Sequence, residues 1–528
     1  MSTEHSGEPD GRRYYITTAI DYPNGKPHLG HAQEKVAADV IARYHRLLGH
    51  DTYYSGGVDE NSQHVLRAAE ANEVDPRVWV NTMNEAFRQA WSKLDVSYDY
   101  WIRTTEERHI RASQEMFRRA QRRGDVYKST YAGWYCPNCN NFYTAEELVG
   151  GRCPNHPTLS PEWLEEENYF FALTTYSDRL KEHIEAHPEF IVPASRRAEV
   201  LGLIKQGLRD FSVSRQVRPG TRAWGVPIPG DPQQVIYVWF DALTNYLTTV
   251  GFPDDEERFA HYWPADAHVI GKDITRFHCL YWPAMLLSAG LPLPRQIAVH
   301  GFISLEGQRF SKTLGNSIDP VELVDAVGSD AVRYYLLRNL SFASDGDFSR
   351  AGLLRHYNDE LGNDLGNLLN RVVTMIQRYR QGVVPRAGTF NELDEELRQL
   401  AEETRLRAGA ALEAWEIGAA FTATWNFVRR TNQYLEQNAP WKLARQPEQA
   451  ERLDTVLYVA AEATRLLAIL LSPYIPAACE RILAQLGLDP VQHGAWEREA
   501  RWGSVEMERV AQDGVLFPRL DPSALDGI

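Results

Sequence analysis

Tyr14-Tyr15-Ile16-Thr17-Thr18-Ala19-Ile20, then Asn24-Gly25, then His28-Leu29-Gly30-His31 is the stretch whose reading decides the fold. Its first seven residues are β-branched or aromatic and read as a strand, and Asn24-Gly25 is a turn signal. Val36, Val40, Ile41, Tyr44 and Leu48 then recur at helical spacing up to Gly49. Strand, loop and helix in that order make a helix start that offers unpaired N–H groups and a positive dipole end to an anion. Gly30 lets a ligand approach the backbone closely. His28 and His31 add side-chain donors.

A second run, Arg309-Phe310-Ser311-Lys312-Thr313, follows the strand-like Ile297-Ala298-Val299 and precedes Asp319-Pro320, a cap and first turn for another helix. Glycines flank it at Gly307 and Gly315, so Lys312 sits on a loop able to close over phosphates and follow developing charge. Taken singly, each run also reads as loop surface. Taken together, each after a strand, they fit one task, which is to hold a triphosphate while its α-phosphorus is attacked. Donors aimed at the α-phosphoryl oxygens lower that barrier with no nucleophilic side chain.

Strand-then-helix alternation runs from Tyr14 to about Gly124. It is interrupted by a turn-rich, cysteine-bearing segment to about Trp224 and resumes with Val235 to Val238, His268 to Ile270 and Ile297 to Val299. This predicts an α/β, Rossmann-like parallel sheet with ligands at the carboxyl ends of its strands, where the HLGH loop and the Gly271-Lys272-Asp273 turn both fall. From about His356 the texture becomes helical, with Leu361, Leu365, Leu368, Val372 and Ile376 on one stripe, and a helical bundle is expected. The divisions are a tail at 1–13, catalytic halves at 14–124 and 225–303, an insert at 125–224, a linker with the Lys312 loop at 304–355, and a helical domain at 356–528.

The 528 residues are 43% hydrophobic, enough for several cores. Met1 to Arg13 lack an apolar h-region and no run approaches a membrane span, so no membrane contact and a cytoplasmic protein are expected. A net charge of −15 does not advertise a nucleic-acid binder. Two basic clusters remain open as nucleic-acid patches or as solvated faces: Arg108, Arg111, Arg118, Arg119, Arg122 and Arg123, then Arg196, Arg197, Lys205, Arg209, Arg215 and Arg218.

Three of the five cysteines fall in the insert. Cys136-x-x-Cys139 and Cys153-x-x-His156 form two knuckles whose spacing suits tetrahedral zinc, the alternatives being a disulfide or reactive thiols. Four protein ligands leave no open position, so such a zinc is structural. Cys279 and Cys479 read as buried thiols.

The HLGH and RFSKT runs resemble the two signatures of the class I aminoacyl-tRNA synthetases. Longer stretches are similar to the methionyl-tRNA synthetases: Tyr22-Pro23-Asn24-Gly25, Tyr237-Val238-Trp239-Phe240-Asp241-Ala242-Leu243-Thr244-Asn245-Tyr246, Ile270-Gly271-Lys272-Asp273-Ile274, Arg276-Phe277-His278 and Tyr281-Trp282-Pro283-Ala284. The resemblance spreads over nearly the whole chain. It implies ATP-dependent activation of methionine to the adenylate and transfer to methionine tRNA, initiator and elongator, with Mg2+ on the triphosphate and one structural zinc in the insert.

Residue by residue, the resemblance implies that His28, His31 and Lys312 stabilise the adenylation transition state, with Gly30, Gly271 and Asp273 also on ATP. It places Ile20, Tyr22, Trp239, Ala242, Leu243, Tyr246, His278 and Trp282 around methionine, and Asp59 near its ammonium group. For the aromatics, core packing is the competing reading. Asn367, Arg371 and Trp441 match the positions that read the anticodon; residues four apart share a helix face, and an indole supplies a stacking plane.

Some positions depart from the family pattern. Arg309, Phe310 and Thr313 stand where Lys, Met and Ser are usual, and Asn61 follows Glu60 where many relatives carry histidine. The chain stops soon after Leu516-Phe517-Pro518-Arg519, so a monomer is expected. A class I enzyme for another amino acid, a non-catalytic tRNA- or RNA-binding relative, and a protein or nucleic-acid adaptor formed by the zinc knuckle on an inactive scaffold are the rival readings. Room for a large editing insert is lacking, which opposes the first, and the retained histidines and lysine oppose the second.

Overall fold

The computed structural model describes residues 11–136, 141–154, 159–217, 223–309, 317–339 and 341–527. Six parallel strands form its central sheet: β1 (Arg13–Thr18), β2 (Asp51–Val58), β3 (Tyr100–Arg103), β4 (Ile191–Val192), β5 (Ala267–Gly271) and β6 (Ile297–His300), in the order β3-β2-β1-β5-β6-β4. Ile16 of β1 pairs with Tyr54 on one side and Ala267 on the other. The chain winds outward from β1 in one direction and from β5 in the other, so the strand order reverses between them. A crevice opens at the carboxyl ends there. Alternation along β1 sends Tyr14 and Ile16 into the core on one face and Tyr15 into the core on the other.

The helix α1 (Leu29–Leu47) crosses from β1 to β2. Its flank belongs to a core that continues into the C-terminal helices, with Tyr44 edge-on to Trp496 at 5.1 Å. Those helices are Asn367–Arg380, Glu392–Glu413, Ile417–Asn438, Ala450–Leu471 and Pro476–Gln485. Seventeen of the 22 residues of Ala450–Leu471 are buried, so this helix is the centre of the bundle, apolar nearly all round. Its one buried ion pair, Arg465 with Glu462, is satisfied internally at 2.6 Å. The leucine stripe read from Leu361 to Ile376 is buried throughout, although its first turns, Tyr357–Gly366, are wound as a π-helix.

Two features differ from expectation. The span read as the insert contains β4, which pairs with Ile297 and Ala298 at the edge of the central sheet. The strand expected near Val235 runs from Asp231 to Ile236 and joins a separate three-stranded antiparallel sheet with Ser214–Gln216 and Pro227–Ile228. The rest of the insert holds a four-stranded antiparallel sheet built on the Val126–Cys136 and Glu162–Phe171 pair, and two helices, Ser177–Ala186 and Ala194–Gln206. No described helix is long and apolar enough to cross a membrane.

One arginine fastens the two halves of the molecule. Arg333 is 0% exposed and donates to Asp39 of α1, to the carbonyls of Leu94 and Asp95, and to the carbonyls of Pro473 and Tyr474. A planar fork with five donors suits such a junction, where a lysine would not.

Candidate active site

The crevice has two ends, which the sequence leads one to expect as an amino-acid end and a phosphate end. At the first, the two short helices Val238–Leu243 and Asn245–Thr248 deliver Trp239, Ala242, Leu243 and Tyr246. A π turn, Phe277–Tyr281, delivers His278, and the exit of β1 delivers Ile20 and Tyr22. These seven residues and Asp59 line one cleft, together with Ala19, Asn245 and Ile274, three residues the sequence reading did not single out. The cleft holds about 20 Å³, close to the room of one water. Trp239 lies flat on Phe277, ring centroids 3.9 Å apart, and edge-on to Tyr22 at 6.0 Å.

Trp282 stands one layer back. It is 0% exposed, packs edge-on against Tyr246 at 5.9 Å and donates to His268 Nε2 at 3.2 Å. It therefore supports the cleft from behind and does not line it. His268, also missed in the sequence, stacks under Tyr246 at 4.2 Å and bonds Thr17 through Nδ1.

His278 is uncharged in this setting. Its Nδ1 faces the Ile274 carbonyl at 3.0 Å and must donate there, which leaves Nε2 to accept from the Tyr246 hydroxyl at 2.7 Å. Burial brings its pKa down to about 4. The cleft thus presents a neutral, aromatic, hydrogen-bonded wall, suited to a thioether.

Asp59 is the opposite case. It is 1% exposed, and its Oδ1 has no hydrogen-bond partner. Burial, with the neighbouring Asp241 charge, raises its pKa well above the carboxylate range. A buried carboxylate oxygen left unpartnered is costly.

At the phosphate end, His28 is the N-cap of α1. Its Nδ1 accepts from Gly30 N at 3.2 Å, and His31 Nδ1 accepts from His28 N at 3.2 Å, the rings 3.8 Å apart. Leu29 N is taken by the Ile318 carbonyl and His31 N by the His28 carbonyl. The unpaired N–H groups expected at this helix start are thus occupied at Leu29, Gly30 and His31. With Nδ1 accepting, a neutral ring carries its proton on Nε2.

One turn further along α1 lies a buried charge cluster that sequence reading missed. Lys35 Nζ donates to the Ala19 carbonyl at 2.7 Å and pairs with Glu34 at 2.7 Å and Asp21 at 3.1 Å. Glu34 Oε2 meets His300 Nε2 at 3.2 Å. Burial raises Asp21 to about 7. The available signal was a Glu-Lys pair on the apolar face of a helix. Gly271 is there for space: a Cβ on it would stand 2.7 Å from Asp273 Oδ1.

Lys312, with Phe310 and Thr313, lies outside the described residues. Its loop leaves from the Ile303–Leu305 and Gln308–Arg309 hairpin and returns at Ile318, whose carbonyl accepts from Leu29 N at 3.1 Å. Lys312 therefore lies six positions along the chain from a bond to the start of α1, a reach of at most about 20 Å.

In the insert, Cys136 and Cys153 are both buried and share one small cluster with Tyr143; Cys139 and His156 lie outside the described residues. No group of three metal-ligating side chains occurs among the described residues. In the helical domain Arg371 stacks over Trp441 at 5.7 Å and pairs with Glu436 at 2.7 Å, and Asn367 is exposed one turn away on the same helix. The first basic cluster is ion-paired throughout, Arg108 with Glu106, Arg111 with Asp254, Arg118, Arg119 and Arg122 with Glu115, and Arg123 with Asp125. That pairing favours a solvated face.

A doubly wound sheet, an imidazole-capped helix at its switch point and a helical domain behind α1 together make the architecture of class I aminoacyl-tRNA synthetases. A family model described as class I tRNA synthetases (M) matches residues 14–160 and 157–373, and one described as the anticodon binding domain of methionyl tRNA ligase matches residues 384–517. The methionine--tRNA ligase of Caldanaerobacter subterraneus subsp. tengcongensis is 43% identical over 97% of this chain and 79% of its own length; that of Bacillus subtilis is 41% identical over 97% and 78%. A structure of Mycobacterium tuberculosis methionyl-tRNA synthetase in complex with methionyl-adenylate is 40% identical, with a TM-score of 0.91 over 96% of this chain and 100% of that one. The chain belongs to the methionyl-tRNA synthetases.

Proposed function

We propose that this protein is a methionine:tRNA ligase. It activates methionine with ATP to methionyl-adenylate and transfers the acyl group to the 3′ end of methionine tRNA, initiator and elongator. A methionine carboxylate oxygen attacks the α-phosphorus and the bond to pyrophosphate breaks. A terminal adenosine hydroxyl then attacks the acyl carbonyl, and AMP leaves.

In the first step the Nε2 donors of His28 and His31 and the Lys312 ammonium carry the charge that builds on the phosphoryl oxygens. Asp273 and the bare backbone at Gly271 hold the nucleoside. Asp59 fixes the amino group, and the wall of Ile20, Tyr22, Trp239, Ala242, Leu243, Tyr246 and His278 takes the side chain, with Trp282 supporting Tyr246. The observation that carries this reading is the unpartnered Asp59 oxygen in a cleft otherwise neutral and aromatic.

Mg2+ bound to the triphosphate would neutralise part of its charge. Cys136, Cys139, Cys153 and His156 would hold one zinc that closes the knuckle, a reading supported by the two described thiols folding into one buried cluster. Asn367, Arg371 and Trp441 would read the anticodon, the Arg371–Trp441 stack supplying a ready platform for an unstacked base. The boundaries at 124, 224, 303 and 355 are proposed as functional divisions.

Methionine-dependent exchange of labelled pyrophosphate into ATP tests the function. Exchange with methionine and none with leucine, isoleucine or cysteine is the expected result, and preference for one of those three would overturn it.

A further inference from the structure

The early turns of α1 are tied to the end of the sheet by a cation that apolar packing does not require. Lys35, 1% exposed, stands four residues after His31 and so on the same side of the helix. Its ammonium donates to the Ala19 carbonyl at 2.7 Å and pairs with Glu34 at 2.7 Å and Asp21 at 3.1 Å. Both carboxylates are buried as well, and Glu34 reaches on to His300, at the end of β6, 3.2 Å away.

What Lys35 grips is the exit of β1, and that exit is one unit with the cleft. Ala19 N donates to the Val269 carbonyl of β5 at 3.1 Å, Asp21 N to the Gly57 carbonyl of β2 at 2.9 Å, and Asp59 N to the Asp21 carbonyl at 2.8 Å. Ala19, Ile20, Tyr22 and Asp59 all line the cleft. One side of the network therefore carries the cleft, and the other is the helix whose start carries His28 and His31.

A buried ion cluster is weak evidence of stability, because desolvation offsets the Coulomb gain and apolar residues of similar volume often serve as well. What it adds is direction. Apolar contact between α1 and the sheet resists separation but is non-directional, so it does little to stop the helix sliding along its own axis. An ammonium held by two carboxylates and a carbonyl fixes that axial position.

We propose that Lys35 is a positioning residue which sets the axial position of α1 against the exit of β1, and with it the separation between the two imidazoles and the Asp59 cleft. The inference rests on the reading of that cleft as the methionine site and of the imidazoles as partners of the α-phosphate. In-line attack needs the methionine carboxylate and the α-phosphorus about 3–3.5 Å apart. A slide of about 1 Å, less than the rise of about 1.5 Å per helical residue, costs about a hundredfold in rate while each half of the site stays built.

The test compares the full chain with its Lys35→Met variant, measuring the single-turnover rate of methionyl-adenylate formation beside equilibrium binding of methionine and of ATP, each alone. Lys35→Met is expected to lower the rate about a hundredfold with both affinities within about threefold of wild type. A purely structural role would instead lower the folded fraction, which reduces the amplitude of the turnover and leaves its rate constant alone.

A rate constant within about threefold of wild type, or a rate and affinities falling by the same factor, overturns the proposal. Should Lys35→Met not fold, because it leaves two buried carboxylates without their cation, the double variant Asp21→Leu with Lys35→Met replaces the pair by apolar residues and must show the same split between rate and affinity. Two controls separate this inference from the reading beneath it. If exchange in the wild type does not depend on methionine, or if Asp59→Asn leaves methionine affinity unchanged, that reading fails; if both controls hold and the Lys35 variants keep their rate, only the present inference fails.

Discussion

Two side chains at the amino-acid end show how burial assigns opposite duties. Burial drives both toward neutrality: it keeps His278 uncharged against the opposing pull of the Ile274 carbonyl, whereas Asp59 keeps an oxygen with no hydrogen-bond partner. Asp59→Asn is therefore expected to lower kcat/KM for methionine by about 2–5 kcal/mol equivalent while KM for ATP holds, as read by steady-state exchange. His278 gives a pH prediction with a definite sign. Its pKa falls from an ordinary 6.5 to about 4 on folding, so the unfolded chain binds the extra proton. Its contribution is whole above pH 6.5 and is lost as pH falls toward 4. The stability margin of the wild type over His278→Gln should shrink by roughly 1.4 kcal/mol per pH unit across that window; urea unfolding at pH 7, 6 and 5 measures it, and a constant margin contradicts the assignment.

Asp59 and the cleft aromatics were legible in the sequence only through motif resemblance, since a Trp, Tyr or His alone reads equally as core. Trp282 shows the limit: the motif names it beside the substrate, while tertiary packing sets it behind Tyr246. The 2.9 Å contact between His109 and Asp241 was invisible because the two residues are distant in sequence, although Asp241 stands inside the Tyr237–Tyr246 motif.

At the scale of elements, α1 does most to join the parts. Its start is capped by the two histidines, its middle carries Glu34, Lys35 and Asp39, and its far end packs on the helical domain. Asp39 is held down to about 2 by Arg43, Arg333 and Ser97 despite complete burial. Its contribution is present above the ordinary carboxylate range and is lost as pH falls toward 2. Arg333→Met removes one partner of a buried pair and takes a donor from Asp39 and from the carbonyls of Leu94, Asp95, Pro473 and Tyr474, of which Asp39 and Asp95 keep Arg43. A loss of about 3–5 kcal/mol in unfolding free energy is expected, and a loss below 1 kcal/mol would show that the junction contributes little.

The β1-loop-α1 unit was read from the chain almost to the residue because local propensity and tertiary role agree there. β4 was not. Two residues between a helix and a proline carry no periodic signal, and only the open edge of β6 makes them a strand. The Asp231–Ile236 strand was visible as a strand, but its partners were not, since pairing is a long-range choice.

The whole molecule separates an adenylating crevice from a helical domain that carries Arg371 and Trp441 far along the chain. Trp441→Ala should leave pyrophosphate exchange intact while lowering the rate of tRNA charging about tenfold or more, the worth of one stacked base; equal loss in both assays would contradict the division of labour. Zinc makes a separate claim. One equivalent of zinc is expected by elemental analysis, and Cys136→Ser should release it and lower the unfolding midpoint of the insert while the Asp59 cleft keeps its methionine affinity. No bound zinc in protein purified without chelator would refute the knuckle.

The central claim is that imidazoles at the start of α1 and the ammonium of Lys312 converge on one reactive phosphorus. Its most direct test is the single-turnover rate of methionyl-adenylate formation in Lys312→Ala, measured beside equilibrium methionine binding. The account predicts a rate lowered at least about a hundredfold, the scale of a lost transition-state donor, with methionine affinity within twofold of wild type; an undiminished rate, or rate and affinity falling in equal measure, would contradict it.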